Sequence, residues 1–333
     1  LGFSTQQIVN EAESRRIPYQ RLDKFNFVQL GTGCYRKVIR ATLTQNTSYL
    51  AVENTDNKYL TYKMLEEMGI PVPMRITTKT VQEALEFYKQ LQKPVVVKPS
   101  NGYRGKRVNV HLDSEEKIIK AFFWAQSYDE DVIVQEFVSG NTYRILIING
   151  TFVGAVQLIA PFIVGDGIKS IKELIDELNA NPEREFGDKG KLSKVEIDDD
   201  TLKIIDIKGY TLQTVLEKNK RLFLKNSGNM RLGGTSIDVT EKVHPYNRFV
   251  CERISKLLNL DVTGVDIISD DISQSLHDNQ GRVIEINAAP DFRMHINPTL
   301  GKSQPVQKQF VDMLFPKGSP FKIPHISITG SKG

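Results

Sequence analysis

The stretch Val95-Val-Val-Lys98-Pro-Ser-Asn101-Gly102-Tyr-Arg104-Gly105-Lys106-Arg107-Val108 runs from an apolar segment into a loop with two glycines and several cations. It then leaves through a pattern of period two. Such a hairpin can fold over a polyphosphate, because glycine permits close backbone approach and the cations neutralise charge. A Walker-type loop would be followed by a helix whose N-terminus holds phosphate, and none is patterned here. Far downstream, Arg282-Val-Ile-Glu285-Ile-Asn287 puts a carboxylate and an amide two residues apart, hence on one face of a strand. The run Val262-Thr-Gly-Val-Asp266-Ile-Ile supplies a second carboxylate. Acidic groups in apolar surroundings are costly unless paired or ligated. Salt bridges would satisfy them, and so would Mg²⁺, which takes oxygen ligands and shares its shell with water and phosphates. Between these two constellations, Val132-Ile-Val-Gln135-Glu136-Phe137-Val138 reads as a strand ending at a hinge, whose backbone groups can read an adenine edge. Hairpin, carboxylate platform and hinge together point to ATP.

These groups need elements to hold them. Strands are expected over 94–98, 108–112, 131–137, 262–269 and 282–287. The 21 uncharged residues from Ile145 to Gly165 contain Asn149-Gly150 between two β-rich runs, which predicts a hairpin and not a membrane span. Thr80-Val-Gln-Glu83 and Ser170-Ile-Lys-Glu173 predict capping boxes at helix starts, and Asp113-Ser-Glu-Glu116 a carboxylate cap. A helix opening at Ile8, Val9 and Ala12 and a strand near Phe27–Leu30 are expected at the N-terminal end. A helix opened by Pro245 should bury Phe249, Val250, Ile254, Leu257 and Leu258. The charge-dense segment 182–200 reads as a solvated loop or lid. The fold class expected is α+β with mainly antiparallel pairing.

Composition narrows the function classes. At 40% hydrophobic and 25% charged residues the chain is an ordinary globular one, not a disordered or fibrous one. Forty-four Lys and Arg against 40 Asp and Glu leave a balance of +4, too even to predict nucleic acid or a membrane as partner. Leu1 to Asn10 lacks the pattern of a secretory signal, and Cys34 and Cys251 are expected to be core residues of a reduced, cytoplasmic chain.

Taken in order, Lys98 with its glycine loop, Gln135-Glu136-Phe137-Val138, Asp266 and Glu285-Ile-Asn287 resemble the motifs of the ATP-grasp superfamily. The closer resemblance is to the ATP-grasp module of the cyanophycin synthetase family. It is carried by Ser4-Thr-Gln-Gln-Ile-Val, Phe27-Val-Gln-Leu-Gly31, Gly69-Ile-Pro-Val-Pro73, Gly233-Gly-Thr-Ser-Ile-Asp-Val-Thr240 and Asn287-Ala-Ala-Pro-Asp-Phe-Arg-Met-His295. The resemblance implies two α+β subdomains with ATP held between them, and a ligase that activates a carboxylate as an acyl phosphate for attack by an amine. It implies ATP with Mg²⁺, two ions, and acidic peptide or amino-acid substrates. Lys58, Lys98, Asn101, Gly102, Arg104, Gly105 and the hinge Gln135–Val138 would bind ATP. Asp266, Glu285 and Asn287 would bind metal, Arg144, Lys225 and Asn229 would face the transferring phosphoryl group, and Arg293 would lie near the reacting carboxylate. Its implied segments are 1–50 (a linker before the ATP-grasp part), 51–138, 139–316 and 317–333. The last resembles the start of a Mur-ligase-like phosphate loop, which predicts a longer polypeptide; a homo-oligomer is also compatible with the family.

The chain departs from the family at Arg104 (usually histidine), Tyr62 (usually lysine), Arg231-Leu before Gly233 (usually Ser-Thr) and Asp291 (usually glycine). Two alternatives therefore stand beside the leading reading. One is a dipeptide or γ-peptide ligase of the same architecture, and the other is an ATP-binding module without turnover.

Overall fold

Strand alternation in Asn141–Ile148 sends Tyr143, Ile145 and Ile147 to one face and Arg144, Leu146 and Ile148 to the other. This strand is the centre of a five-stranded antiparallel sheet in the order Thr235–Asp238, Thr151–Ile159, Asn141–Ile148, Val262–Ser269, Arg282–Asn287. Asn149 and Gly150 form the predicted turn, both with positive φ (53° and 68°). The computed structural model describes residues 1–100, 107–186, 192–324, 326 and 330.

One face of this sheet is covered by the helix Pro245–Leu257 and by the pair Tyr49–Asp56 and Lys58–Glu67. On the other face Leu146, Ile148 and Val262 are buried under the helices Phe3–Ser14 and Val306–Leu314 and under Phe292. Residues 1–50 are therefore folded, and contribute a four-stranded antiparallel sheet over Tyr19–Thr44 to this second core.

A separate four-stranded antiparallel sheet, ordered Arg75–Thr78, Val132–Glu136, Val95–Pro99, Asn109–Leu112, packs against the helices Val81–Leu91 and Glu115–Gln126. Its two central strands are buried along their whole length. The segment Pro71–Met74 stitches the two sheets together. Val283 N donates to Pro71 O (2.9 Å), and Glu136 N to Met74 O (2.8 Å). A third unit, the lid, is built from Phe162–Val164, Ile171–Asn179, Asp199–Ile207 and Arg221–Phe223 around a small core of its own. All sheet pairings are antiparallel except Arg184–Glu185 with Leu192–Ser193, so the α+β expectation holds among the described residues.

Local expectations fare unevenly. The Ser170–Glu173 capping box forms in full. At Thr80 only half of it forms, because the Glu83 carboxylate takes the Thr78 hydroxyl instead. Asp113 does not cap its helix; Lys117, one turn on, holds it at 2.7 Å. Phe249 is 53% exposed, because Asn247 is buried and bonds the carbonyls of Ile272 and Gln274, which turns the helix toward that loop. Cys34 lies exposed in a short turn, while Cys251 is buried as expected. Arg184, in the segment read as solvated, is buried. Among the described residues no helix is long and apolar enough to cross a membrane.

Candidate active site

The sheet face that is core at one end carries charge at the other. Across three neighbouring strands, Arg144 lies opposite Asp266 and Asp266 opposite Glu285, while Asn287 lies opposite Gly264. Gly264 is needed here: a Cβ would stand 2.8 Å from Pro290 Cβ and 3.1 Å from Arg144 Cδ. Arg144 embraces Asp266 through two nitrogens, Nε to Oδ1 and Nη2 to Oδ2 (2.8 Å). Burial works against the Arg144 charge, but Asp266, with Glu285 and Asp291, holds its pKa above the ordinary value. The Asn287 side-chain nitrogen is buried and has no hydrogen-bond partner among the described residues.

The facing sheet supplies the cations. Lys98 lies in the buried strand Val95–Pro99 with its ammonium 3.5 Å from the Tyr62 hydroxyl. That hydroxyl in turn donates to Ile284 O, on the strand that carries Glu285. Lys58, at the start of the helix bearing Tyr62, reaches Glu285 at 4.0 Å. Arg75 stacks over the Tyr62 ring (4.4 Å) and forks onto Glu66 (2.8 and 2.9 Å). Tyr62 thus ties two cations, Lys98 and Arg75, to the carboxylate strand, while Lys58 meets Glu285 directly. Lys63, one residue on, is exposed and does not restore the cation that the family has at position 62. Burial first, and then the neighbouring Lys58, draw the Lys98 pKa down to about 8.

The hinge is narrower than the sequence implies. Glu136 accepts from Met74 N (3.2 Å) and from Arg282 Nε (3.3 Å), so its carboxylate fastens the two sheets together. Phe137 N donates to Pro94 O (2.9 Å), which leaves Val138 N–H as the hinge donor with no partner among the described residues. Gln135 Oε1 is buried without a partner.

The remaining expected residues sit elsewhere. Lys225 is buried in the lid and pairs with Asp198 at 2.5 Å; Asp198 also caps the helix Asp199–Ile207. Asn229 accepts from Arg231 N (2.9 Å) and starts a tight turn that ends at Gly233. Arg293 is 1% exposed, over the Phe3 ring at 5.3 Å. The family-atypical Asp291 accepts from Ser4 Oγ (2.6 Å) and Arg293 N (3.0 Å), so it fastens the N-terminal helix to the turn beyond the carboxylate strand. Asn101, Gly102, Arg104 and Gly105 lie outside the described residues, as do 187–191 and 331–333.

Sequence reasoning missed Arg75, the Glu136–Arg282 fastening, and a contact between lid and loop sheet. There Lys203 Nζ sits 3.4 Å from the Trp124 ring centroid, and Asn226 Nδ2 reaches Val108 O at 3.4 Å. A readable signal for Arg75 was its place at the start of a short strand after Pro71-Val-Pro73; Lys203 and Trp124 carry none.

Chemically, cations gather beside the carboxylate strands: Lys58 approaches Glu285 itself, and Lys98 and Arg75 both contact Tyr62, whose hydroxyl bonds the Glu285 strand. Among the described residues no group of three His, Cys, Asp or Glu comes together, so a metal here would rest on two carboxylates and an amide.

Comparison with known proteins follows this geometry. Residues 55–291 match the ATP-grasp domain family. A cyanophycin synthetase from Crocosphaera subtropica is 36% identical over 343 residues, covering 100% of this chain and 38% of that protein. The glutathione biosynthesis bifunctional protein GshAB of Desulfotalea psychrophila is 28% identical, covering 94% of this chain and 41% of that protein. Among solved structures, a bifunctional glutathione synthetase from Pasteurella multocida superposes with a TM-score of 0.68 at 27% identity, covering 95% of this chain and 44% of that one. The chain thus spans well under half the length of these curated relatives.

Proposed function

The chain belongs to the ATP-grasp domain family, and from that premise we propose that it is an ATP-dependent acid–amine ligase module of cyanophycin-synthetase type, extending an aspartate-type peptide. A free carboxylate has no useful leaving group. Attack of its oxygen on the terminal phosphorus of ATP expels ADP and gives an acyl phosphate. An amine then displaces phosphate, losing its proton, and the amide forms. The observation that supports this reading is the convergence of two lysines on Glu285: Lys58 Nζ lies 4.0 Å from its carboxylate, and Lys98 is tied to its strand through Tyr62.

In this reading Lys98, Lys58 and Arg75 neutralise the triphosphate, and Val138 N–H with the hinge carbonyls orients the adenine. Asp266, Glu285 and Asn287 would hold Mg²⁺, two ions in the full site. Two carboxylates and the amide oxygen of Asn287 form a hard-oxygen donor set that fits such a role, and the buried Asn287 nitrogen, with no partner among the described residues, is a donor suited to a phosphate oxygen. Bound Mg²⁺ would supply charge neutralisation on the transferring phosphoryl group. Arg144 pairs with both carboxylate oxygens of Asp266 and fixes the orientation of that side chain. Arg144, Lys225 and Asn229 would face the transferring phosphoryl group, and Arg293 would lie near the reacting carboxylate, as the family resemblance implies.

A coupled ADP-release assay tests the proposal. Acidic peptide primers with a free amino acid should release ADP at least about tenfold faster than amino acids alone, a difference of about 1.4 kcal/mol in barrier. Equal rates with dipeptide precursors would favour the broader peptide-ligase reading, and nucleotide binding without ADP release under every amine would favour a non-catalytic module.

A pH dependence follows from Lys98. Its charge is present below its pKa of about 8 and is lost as pH rises through that value. Affinity for a non-hydrolysable ATP analogue should therefore weaken above pH 8, by up to about tenfold per unit. Lys98→Arg should flatten the profile, because guanidinium stays protonated there. Calorimetric titration between pH 7 and 9.5 measures both.

A further inference from the structure

Outside the ATP cleft, between the lid core and the edge of the five-stranded sheet, lies a cavity of about 470 Å³. That is within the range of sites that hold small ligands. Its wall is mostly apolar, from Pro161, Phe162, Ile163, Leu174 and Leu178. Set into this wall is Arg184, only 5% exposed.

Arg184 Nη1 donates to Ser193 O (2.6 Å) and Gly233 O (2.9 Å), while its Nε is buried with no partner among the described residues. No carboxylate among the described residues pairs with it, and burial alone draws its pKa down. The carboxylate on the cavity wall, Glu177, is held by Lys169 at 2.7 Å. A guanidinium has five donors in a planar fork and strongly prefers a bidentate anion; two carbonyls leave much of that fork unused. Burying such a charge without a counterion is expensive, so the absence of one at a cavity wall points to a ligand.

The geometry points to a second, separate binding site in which Arg184 grips the carboxylate of a small molecule with an apolar body, such as an apolar amino acid or the C-terminal residue of a peptide. This site is independent of the ligase reading, since it uses no residue of the ATP cleft. The carbonyl that Arg184 holds belongs to Gly233, at the end of the Asn229 turn. Gly234, next to it, is pressed against that turn, a Cβ there standing 2.4 Å from Gly228 O.

Calorimetry on the full chain with 4-methylpentanoate and its uncharged isostere 4-methylpentanamide tests the site. The acid should bind at least tenfold more tightly than the amide. L-leucine and glycyl-L-leucine distinguish a free amino acid from a peptide end by which binds tighter. Arg184→Gln should abolish the preference for the acid. Since loss of the Ser193 and Gly233 bonds can unfold the lid, Leu178→Trp provides a second variant that fills the cavity and leaves Arg184 in place. It should weaken the acid at least tenfold while leaving ATP-analogue affinity unchanged. Equal binding of acid and amide, or acid binding that survives Leu178→Trp, overturns the proposal.

Discussion

Lys98→Ala lowers ADP release with acidic primer by about 10²–10³-fold, the loss expected when one preorganised charge facing a transferring phosphoryl group is removed. The reason lies in how the ammonium is held. It is buried in a central strand, next to Tyr62, where burial and the nearby Lys58 and Arg75 weaken its charge and Glu285 partly restores it, so a triphosphate would add the negative charge it lacks. A flexible surface lysine would be replaced by water at little cost; this one is not. Lys63→Ala, on the exposed side of the same helix as Tyr62, changes the rate less than about twofold. Steady-state ADP release for the two variants side by side checks the claim. Comparable losses would place the phosphate elsewhere. Nucleotide hydrolysis surviving Lys98→Ala would do the same.

Asp266 and Glu285 look alike in sequence and should behave oppositely on mutation. Asp266→Ala strands the Arg144 guanidinium in a buried position without its partner, and the fold loses about 3–5 kcal/mol. Glu285 has a side chain that is 46% exposed and faces Lys58 only at 4.0 Å. Glu285→Gln therefore leaves stability within about 0.5 kcal/mol while turnover falls by about 10²–10³-fold. The double change Arg144→Met with Asp266→Leu recovers most of the lost stability, since an apolar pair of similar volume removes the stranded charge, but does not recover turnover. Urea midpoints for the four proteins, paired with ADP-release rates, separate the two roles. A Glu285→Gln protein as destabilised as Asp266→Ala would show that both acids are structural.

The candidate site was more legible in the sequence than the parts that frame it. Two-residue spacing put Glu285 and Asn287 on one strand face, and the strands 262–269 and 282–287 were bounded correctly, the first as a nearly continuous buried run. The sequence could not place Arg144 directly against Asp266, since register between strands far apart in the chain is set by packing across the whole sheet. Nor could it show that Glu136 would spend its carboxylate on Arg282 and Met74, because its neighbours come from two other segments. Charge density misled at Arg184: a run of Glu, Arg, Asp and Lys usually marks a wet surface, but one member turned inward to hold carbonyls of the lid. The helix at Pro245 was found but rotated, because a buried polar side chain, Asn247, outweighed the aromatic Phe249 in choosing the inward face.

The lid rests on the loop sheet through Lys203 against Trp124, and that indole is the chain's sole tryptophan. An ammonium over the ring perturbs its excited state, so intrinsic emission carries the signature of this one junction. The making or breaking of this contact can thus be followed by light in the unlabelled protein, with no dye attached and no other indole to obscure the signal.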